Sequence, residues 1–266
     1  MNSEHPRFSI LTPTWNRAKL LERVYSGLAA QSYKNFEWIV ADDGSTDDTE
    51  AVIYQLAAKA DFPIIFIRAD RHIGKARMDN EAIRKARGEL SLWCDSDDFL
   101  AAQALQRLWD TWNSIPKKKQ KEYSGMTALA STEEGAINNP FPDVVYKDVS
   151  WNDLAAVYCV TGDMLLCVKT DLLRACPFPE VDLYIPESAV WSTIGHHPAR
   201  LVPEVLLIKE YQADGISITD TMAYNRGSAY AQAAVAKNLR KYQRPWRIRA
   251  RCLVNFIRFS FHGEIA

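Results

Sequence analysis

Four short apolar runs alternate with segments of helical length over the first 94 residues of this chain. Short apolar runs bounded by polar turns are typical of buried strands. Strands that alternate with helices form a mostly parallel sheet with right-handed crossovers. The sequence therefore predicts an α/β fold, in which a Rossmann-like, mostly parallel sheet is flanked by helices. The predicted strands are Phe8–Leu11, Phe36–Ala41, Ile64–Ile67 and Leu90–Cys94, and the predicted helices span about residues 17–31, 48–60, 75–87 and 101–114.

Three carboxylates stand within four residues, Asp95–Asp98, directly after the fourth predicted strand. Ligands of open α/β sheets bind at the carboxyl ends of the strands. Crowded carboxylates repel one another and are costly to desolvate. They therefore indicate either a shared divalent cation or an acidic turn that caps the following helix. These residues alone leave both interpretations open.

The chain lacks the common glycine-rich phosphate loops, both Gly-x-x-x-x-Gly-Lys-Ser/Thr and a Gly-x-Gly-x-x-Gly after the first strand. A metal held by Asp95 and Asp97 is the natural substitute, because it would stabilise charge on a departing diphosphate. A hydroxyl that attacks from the opposite face needs a general base. Glu187 is the candidate, since it begins a predicted helix over about residues 187–194, but an ordinary first-turn acid would also fit there.

The second half of the chain has a different pattern. Shorter apolar segments at Thr127–Ala130, Val144–Tyr146 and Met164–Val168 are separated by Gly, Pro and Asn, and a further strand is predicted at Val205–Tyr211. We interpret residues 116–220 as an antiparallel or irregular half that supplies a second binding site. Residues 1–115 form the first half, and residues 221–266 form a C-terminal extension.

Charge is distributed unevenly although the net charge is −1. Residues 221–266 contain nine Lys or Arg and one acid, Glu264, a balance of +8 that leaves −9 for residues 1–220. The basic residues of 240–261 alternate with large apolar ones, which predicts a helix on an anionic membrane surface. A helix packed on the acidic body is the alternative, and nucleic-acid binding is disfavoured by that acidic body.

Five cysteines without paired spacing predict reduced core residues in a cytosolic setting. The first residues lack the apolar core of a signal peptide, and no stretch of eighteen apolar residues occurs. The expected location is therefore cytoplasmic, with a possible peripheral position on the inner face of the plasma membrane.

Four segments occur in an order and spacing that resemble family 2 glycosyltransferases of the GT-A fold. They are Leu11–Arg17, Asp42–Asp48, Gly74–Asn80 and Asp95–Asp98. The resemblance is strong over about residues 7–115 and weaker over 160–215. It implies an inverting, hexosyltransferase-type enzyme that moves a sugar from a nucleotide-diphosphate sugar, UDP being favoured, to a hydroxyl of a glycan or lipid-linked saccharide. Mn²⁺ or Mg²⁺ would assist, and the pathway would build bacterial surface polysaccharides.

The resemblance also implies roles for individual residues. Asp97 would be the principal metal ligand with Asp95 beside it, and Glu187 aligns with the acceptor-side base. Asp98 would be left to cap the next helix. The chain departs from the family pattern at Ile73–Ala76, where related sequences often have Gly-Gly-Lys-His, and at Glu187, where a pair of acids is usual. The nucleotide-binding residues implied are Thr12, Pro13, Trp15, Asp42, Asp43, Arg77, Asp95 and Ser96.

Two other functions compete with this one. A sugar nucleotidyltransferase would normally carry a glycine-rich basic first loop, and Arg17 and Lys19 are the only cations near Thr12–Thr14. A catalytically inactive sugar-nucleotide-binding module is disfavoured by the presence of Asp95, Asp97 and Glu187. The sequence makes no prediction of the oligomeric state.

Overall fold

The fold is described from a computed structural model. It describes residues 5–132, 134–136, 148–156, 158, 160, 162–182, 184–212, 221–241 and 246–262. The strand predicted at 144–146 lies outside these residues.

The first part of the chain alternates strands and helices as predicted. Its elements are β1 Phe8–Thr14, α1 Ala18–Ala29, β2 Phe36–Asp42, α2 Thr49–Lys59, β3 Ile64–Arg68, α3 Lys75–Lys85, β4 Leu90–Trp93, β5 Phe99–Leu100 and α4 Ala104–Ser114.

The second part begins with a short helix and continues with mixed strands and helices. Its elements are α5 Lys117–Gln120, β6 Gly125–Thr132, β7 Gly135–Ala136, β8 Asp148–Ser150, α6 Trp151–Ala156, β9 Met164–Lys169, α7 Thr170–Ala175, α8 Ser188–Ile194, β10 Pro198–Ile208, α9 Thr221–Lys241 and α10 Trp246–His262.

One sheet runs through both parts in the order β3-β2-β1-β4-β9-β6-β10-β5. β1 to β4 pair in parallel, which confirms the predicted α/β core. β9 lies antiparallel between β4 and β6 and so joins the two parts into one sheet. The strand-end turns after β1, β2 and β4 consequently meet at one edge.

Alternate residues of the central strands face opposite layers, as the pleat requires. Ile10 and Trp38 join a core with α1 and α4, whereas Leu11 and Ile39 join a second core with α3 and α8. Helices thus cover both faces of the sheet, and β1, β2 and β4 are buried along their whole length, as expected for a parallel core.

Two local predictions are wrong. The helix expected from Ala101 begins at Ala104, because residues 99–100 pair instead with the end of β10, and its N-terminus has no side-chain cap. Asp98 therefore does not cap it. The strand expected from Val205 begins already at Pro198, and its pairing with β6 changes register between Val202 and Val205.

Candidate active site

A cleft of about 970 Å³ opens at the carboxyl edge of the sheet. The turns after β1, β2 and β4 form one wall, and the start of α8 with the residues after β10 forms the other. The cleft brings together most of the side chains predicted for the site. Those that line it are Pro13, Trp15, Asp43, Asp95, Ser96, Asp97 and Glu187.

Asp95 lies at the centre of the cleft between two ammonium groups. Its Oδ1 is 3.6 Å from Lys75 Nζ, and its Oδ2 is 4.0 Å from Lys209 Nζ. Burial would raise the pKa of Asp95, but the charges of Lys75 and Lys209 outweigh burial and lower it. The Asp95 carboxylate is therefore ionised while its Oδ1 has no hydrogen-bond partner.

Asp97 lines the same wall of the cleft. Burial and the neighbouring Asp95 carboxylate raise its pKa, which a divalent cation at this point would reverse. The described residues include no group of three or more His, Cys, Asp or Glu that could hold a metal by itself. The donor set nevertheless fits Mn²⁺ or Mg²⁺, which take one or two carboxylates and complete their shell with phosphate oxygens and water.

Asp98 does not cap the following helix and instead binds Lys209, with 3.0 Å between Oδ2 and Nζ. Burial raises the pKa of Asp98 to about 8, although Lys209 opposes the shift. Lys209 directly follows β10 and is also 3.5 Å from Asp163. Sequence reasoning missed Lys209, since only the pairing of β10 with β5 brings it to the acidic turn.

Glu187 immediately precedes α8 and projects into the cleft from the opposite wall. Its Oε1 accepts a hydrogen bond from Lys75 Nζ at 3.0 Å, and its Oε2 accepts one from Trp191 Nε1 at 3.2 Å. The Trp191 ring packs edge-on against Trp93, with 5.1 Å between centroids. The carboxylate is thus held at both oxygens and remains 36% exposed.

One end of the cleft contains an aromatic pair. Trp15 and His72 lie with ring centroids 4.4 Å apart, and Trp15 is half exposed. Asp43 fixes the loop that carries His72, because it contacts His72 Nδ1 at 2.9 Å and accepts hydrogen bonds from the backbone of Ile73 and Gly74. Asp43 therefore shapes this end of the cleft as well as lining it.

Three predicted nucleotide contacts lie outside the cleft lining. Thr12 is buried beneath it and donates to the Cys94 carbonyl at 2.6 Å. Asp42 is buried and accepts from the Ser45 backbone, with burial raising its pKa. Arg77 extends to Asp182 at 2.7 Å on the outer surface.

Comparison with known proteins identifies the family. Residues 9–118 match the family model described as glycosyl transferase family 2. A GalNAc(5)-diNAcBac-PP-undecaprenol beta-1,3-glucosyltransferase of Campylobacter jejuni is 34% identical over 191 residues, which cover 70% of this chain and 59% of that relative. The poly(ribitol-phosphate) beta-N-acetylglucosaminyltransferase TarS of Staphylococcus aureus is 30% identical over 102 residues, which cover 38% of this chain and 18% of TarS. The chain thus spans less than two thirds of the length of these curated relatives.

Solved structures share the GT-A fold. Staphylococcus aureus TarS residues 1–349 in complex with UDP superposes with a TM-score of 0.67 at 18% identity, covering 96% of this chain and 72% of that one. A mannosyltransferase of Pyrobaculum calidifontis in complex with GDP-Man and Mn²⁺ gives a TM-score of 0.59 at 19% identity, covering 98% of this chain and 72% of that one. At these identities the likeness concerns the fold.

Proposed function

We propose a specific reaction for this chain, which belongs to glycosyl transferase family 2 through residues 9–118. The reaction is the inverting transfer of a sugar from a UDP-sugar to a hydroxyl of a lipid-linked saccharide. The observation that carries the proposal is that the Asp95–Asp97 turn and Glu187 line one cleft, with Asp95 and Glu187 both in contact with Lys75. A leaving diphosphate and an attacking hydroxyl need groups on opposite sides of one sugar.

The wall residues suggest how a donor would lie. The nucleoside would stack at Trp15 and His72, and the diphosphate would reach the Asp95–Asp97 turn. Asp97 and Asp95 would hold Mn²⁺ or Mg²⁺ there, which would neutralise the charge that develops on the diphosphate. The sugar would then lie in the cleft beside this turn, with Glu187 within reach of its acceptor side.

Glu187 would perform the proton transfer. The acceptor hydroxyl gives its proton to the Glu187 carboxylate as its oxygen forms a bond to the anomeric carbon. The bond from that carbon to the diphosphate oxygen breaks, and its electron pair leaves with the diphosphate. Attack opposite to the departing group inverts the anomeric configuration.

UDP is favoured as the nucleotide because TarS, which is 30% identical over 102 residues, has a structure that contains UDP, whereas the GDP-Man mannosyltransferase is similar in fold. We expect UDP with Mn²⁺ to raise the melting temperature clearly, whereas UDP with EDTA should give a much smaller shift. At a ligand concentration 100 times Kd, binding stabilises by about 2.7 kcal/mol. A thermal-shift panel of UDP, GDP, TDP and CDP, each with Mn²⁺, Mg²⁺ or EDTA, measures this directly. If no nucleoside diphosphate stabilises the protein in a metal-dependent way, the proposed function is wrong.

The lipid-linked class of acceptor is supported by the outer side of α10. Trp246, Leu253, Val254, Ile257 and Phe261 are all exposed, Phe261 by 81%. At 100° per residue they fall within about 100° of one another around the helix, so they form one apolar stripe. The exposed Arg251 and Arg258 border this stripe. None of the described helices is long and apolar enough to cross a bilayer.

A stripe of this kind suits the interface of an anionic membrane, where its apolar groups enter the headgroup region and its arginines meet lipid phosphates. α10 packs on α9, and α9 in turn binds α8, because Asn238 donates to Ser192 and Thr193 at 2.9 Å. A membrane contact at α10 would therefore place the Glu187 side of the cleft near a lipid-linked acceptor at the inner face of the plasma membrane.

We expect the chain to sediment with anionic phosphatidylglycerol vesicles, and Leu253→Ser with Ile257→Ser to reduce the bound fraction. Two apolar side chains that leave a bilayer interface weaken binding by more than about tenfold, even if each contributes only part of its full transfer energy. Tyr54→Ser, at an exposed aromatic on α2, is the control and should bind like the wild type. Equal sedimentation of all three proteins, or none with any vesicle at low salt, would contradict the membrane assignment.

A further inference from the structure

Lys75 contacts three carboxylates at the cleft and has no role in the transfer described above. Its Nζ lies 3.0 Å from Glu187 Oε1, 3.3 Å from Asp79 Oδ2 and 3.6 Å from Asp95 Oδ1. The three carboxylates come from the start of α8, from α3 and from the turn after β4. One ammonium therefore connects both walls of the cleft.

Asp79 restrains the Lys75 side chain through an ion pair within α3. The two residues are one helical turn apart on α3, so their side chains lie on the same face. Asp79 is almost fully buried, and its Oδ1 accepts a hydrogen bond from Trp93 Nε1 at 2.8 Å. Because the carboxylate is held by the sheet, the lysine above it has a defined direction toward Glu187.

A purely stabilising ion pair is a poor explanation of this arrangement. Lys75 is only 28% exposed, and burial of an ammonium with several carboxylates costs desolvation energy that the mutual attraction only partly returns. Buried charges at such a cost are typical of sites where geometry must be controlled. The ammonium lies between Asp95 and Glu187, and the proposed donor sugar would lie in the cleft beside it.

We propose that Lys75 is a positioning residue for the Glu187 base: it holds Oε1 while Trp191 holds Oε2, so that the remaining lone pairs face the acceptor hydroxyl. This inference rests on the proposed function, in which Glu187 takes the acceptor proton. Lys75 acts through Glu187; its distance of 3.6 Å from Asp95 is longer than a hydrogen bond, so we expect UDP binding to be retained without it. An error of about 1 Å in the position of a catalytic group can cost about 100-fold in rate.

The test is Lys75→Met, which keeps most of the side-chain volume and removes the charge. We expect kcat for transfer to fall by about 10- to 100-fold, with metal-dependent UDP stabilisation unchanged and with partial recovery of kcat in Lys75→Arg. Lys85→Met is the matched control, since Lys85 is an exposed lysine in the last turn of the same helix. Unchanged UDP stabilisation also proves that the variant is folded, and Lys75→Gln replaces Lys75→Met if it is not.

A double-mutant cycle separates positioning from other roles. If Lys75 acts through the base, Lys75→Met should cause little further loss in a Glu187→Gln background. An equal loss in both backgrounds, a loss of UDP binding in Lys75→Met, or a kcat like that of Lys85→Met would each overturn the inference. Failure of the proposed function itself would differ, because Glu187→Gln would then retain transfer or the wild type would not bind UDP.

Discussion

Glu187→Gln is expected to lower the rate of sugar transfer by about 10²- to 10⁴-fold and to leave metal-dependent binding of UDP intact. The amide keeps the shape of the side chain and can still accept a hydrogen bond, but it cannot take the proton of the acceptor hydroxyl. The nucleotide end of the cleft, at Trp15 and Asp97, belongs to other elements and is not altered. Transfer is measured with a UDP-sugar and a saccharide acceptor, and binding is measured by thermal shift.

The matched control is Glu22→Gln, at an exposed acid on α1. It should transfer sugar at the wild-type rate. Loss of transfer together with loss of UDP stabilisation in Glu187→Gln would indicate a damaged cleft rather than a lost base. Full transfer by Glu187→Gln would place the base elsewhere in the cleft and remove the main support for the mechanism.

The sheet edge could be predicted from local sequence, and the electrostatics inside the cleft could not. Apolar runs define β1 to β4, and the topology of a parallel sheet then brings the Asp95–Asp98 turn to the ligand-binding edge. Lys209 approaches Asp98 only because β10 crosses the molecule and pairs with β5. No local signal near either residue encodes that contact. For this reason the sequence predicts correctly that Asp98 lies at the carboxyl edge of the sheet, but the helix cap predicted for it is wrong.

The basic residue of α3 that faces the cleft could not be predicted from local sequence either. Arg77 was predicted to lie near the nucleotide, yet Lys75, two residues earlier, faces the cleft and Arg77 pairs with Asp182 outside. Residues two apart on a helix point about 200° away from one another. The choice between them therefore depends on the rotation of α3 against the sheet, which is set by the packing of Met78 and Ala82 in the second core. A motif at the start of the helix does not specify that rotation.

The structure of the C-terminal extension is compatible with both interpretations of its basic charge, packing on the acidic body and contact with a membrane. α9 packs on the body: the backbone at Gly227 lies so close to the Tyr184 carbonyl that a Cβ would be 1.8 Å from its oxygen, and only glycine fits. α10 packs on α9 and leaves its apolar stripe exposed. The basic segment is therefore attached to the body through α9, and α10 exposes the apolar stripe that we propose meets the membrane.

Asp97→Asn is expected to remove most of the metal-dependent stabilisation by UDP. Asp97 lines the cleft beside Asp95, and the two carboxylates are the oxygen ligands that the chain offers to Mn²⁺ or Mg²⁺. Substitutions in the second shell of a metal site already cost about 10- to 100-fold in affinity, so loss of a direct ligand should cost at least as much. At a UDP concentration 100 times the wild-type Kd, a 100-fold weaker complex reduces the stabilisation from about 2.7 to about 0.4 kcal/mol.

The measurement is the thermal shift with UDP, compared between Mn²⁺ and EDTA. Asp171→Asn, at an exposed acid on α7, should give the wild-type shift. In EDTA the Asp97→Asn variant should match the wild type, because the residual shift then comes from nucleoside contacts alone. A full Mn²⁺-dependent shift in Asp97→Asn would mean that Asp97 is not a metal ligand. Lys209, whose ammonium lies beside Asp95 and Asp98, would then be the cation that neutralises the diphosphate.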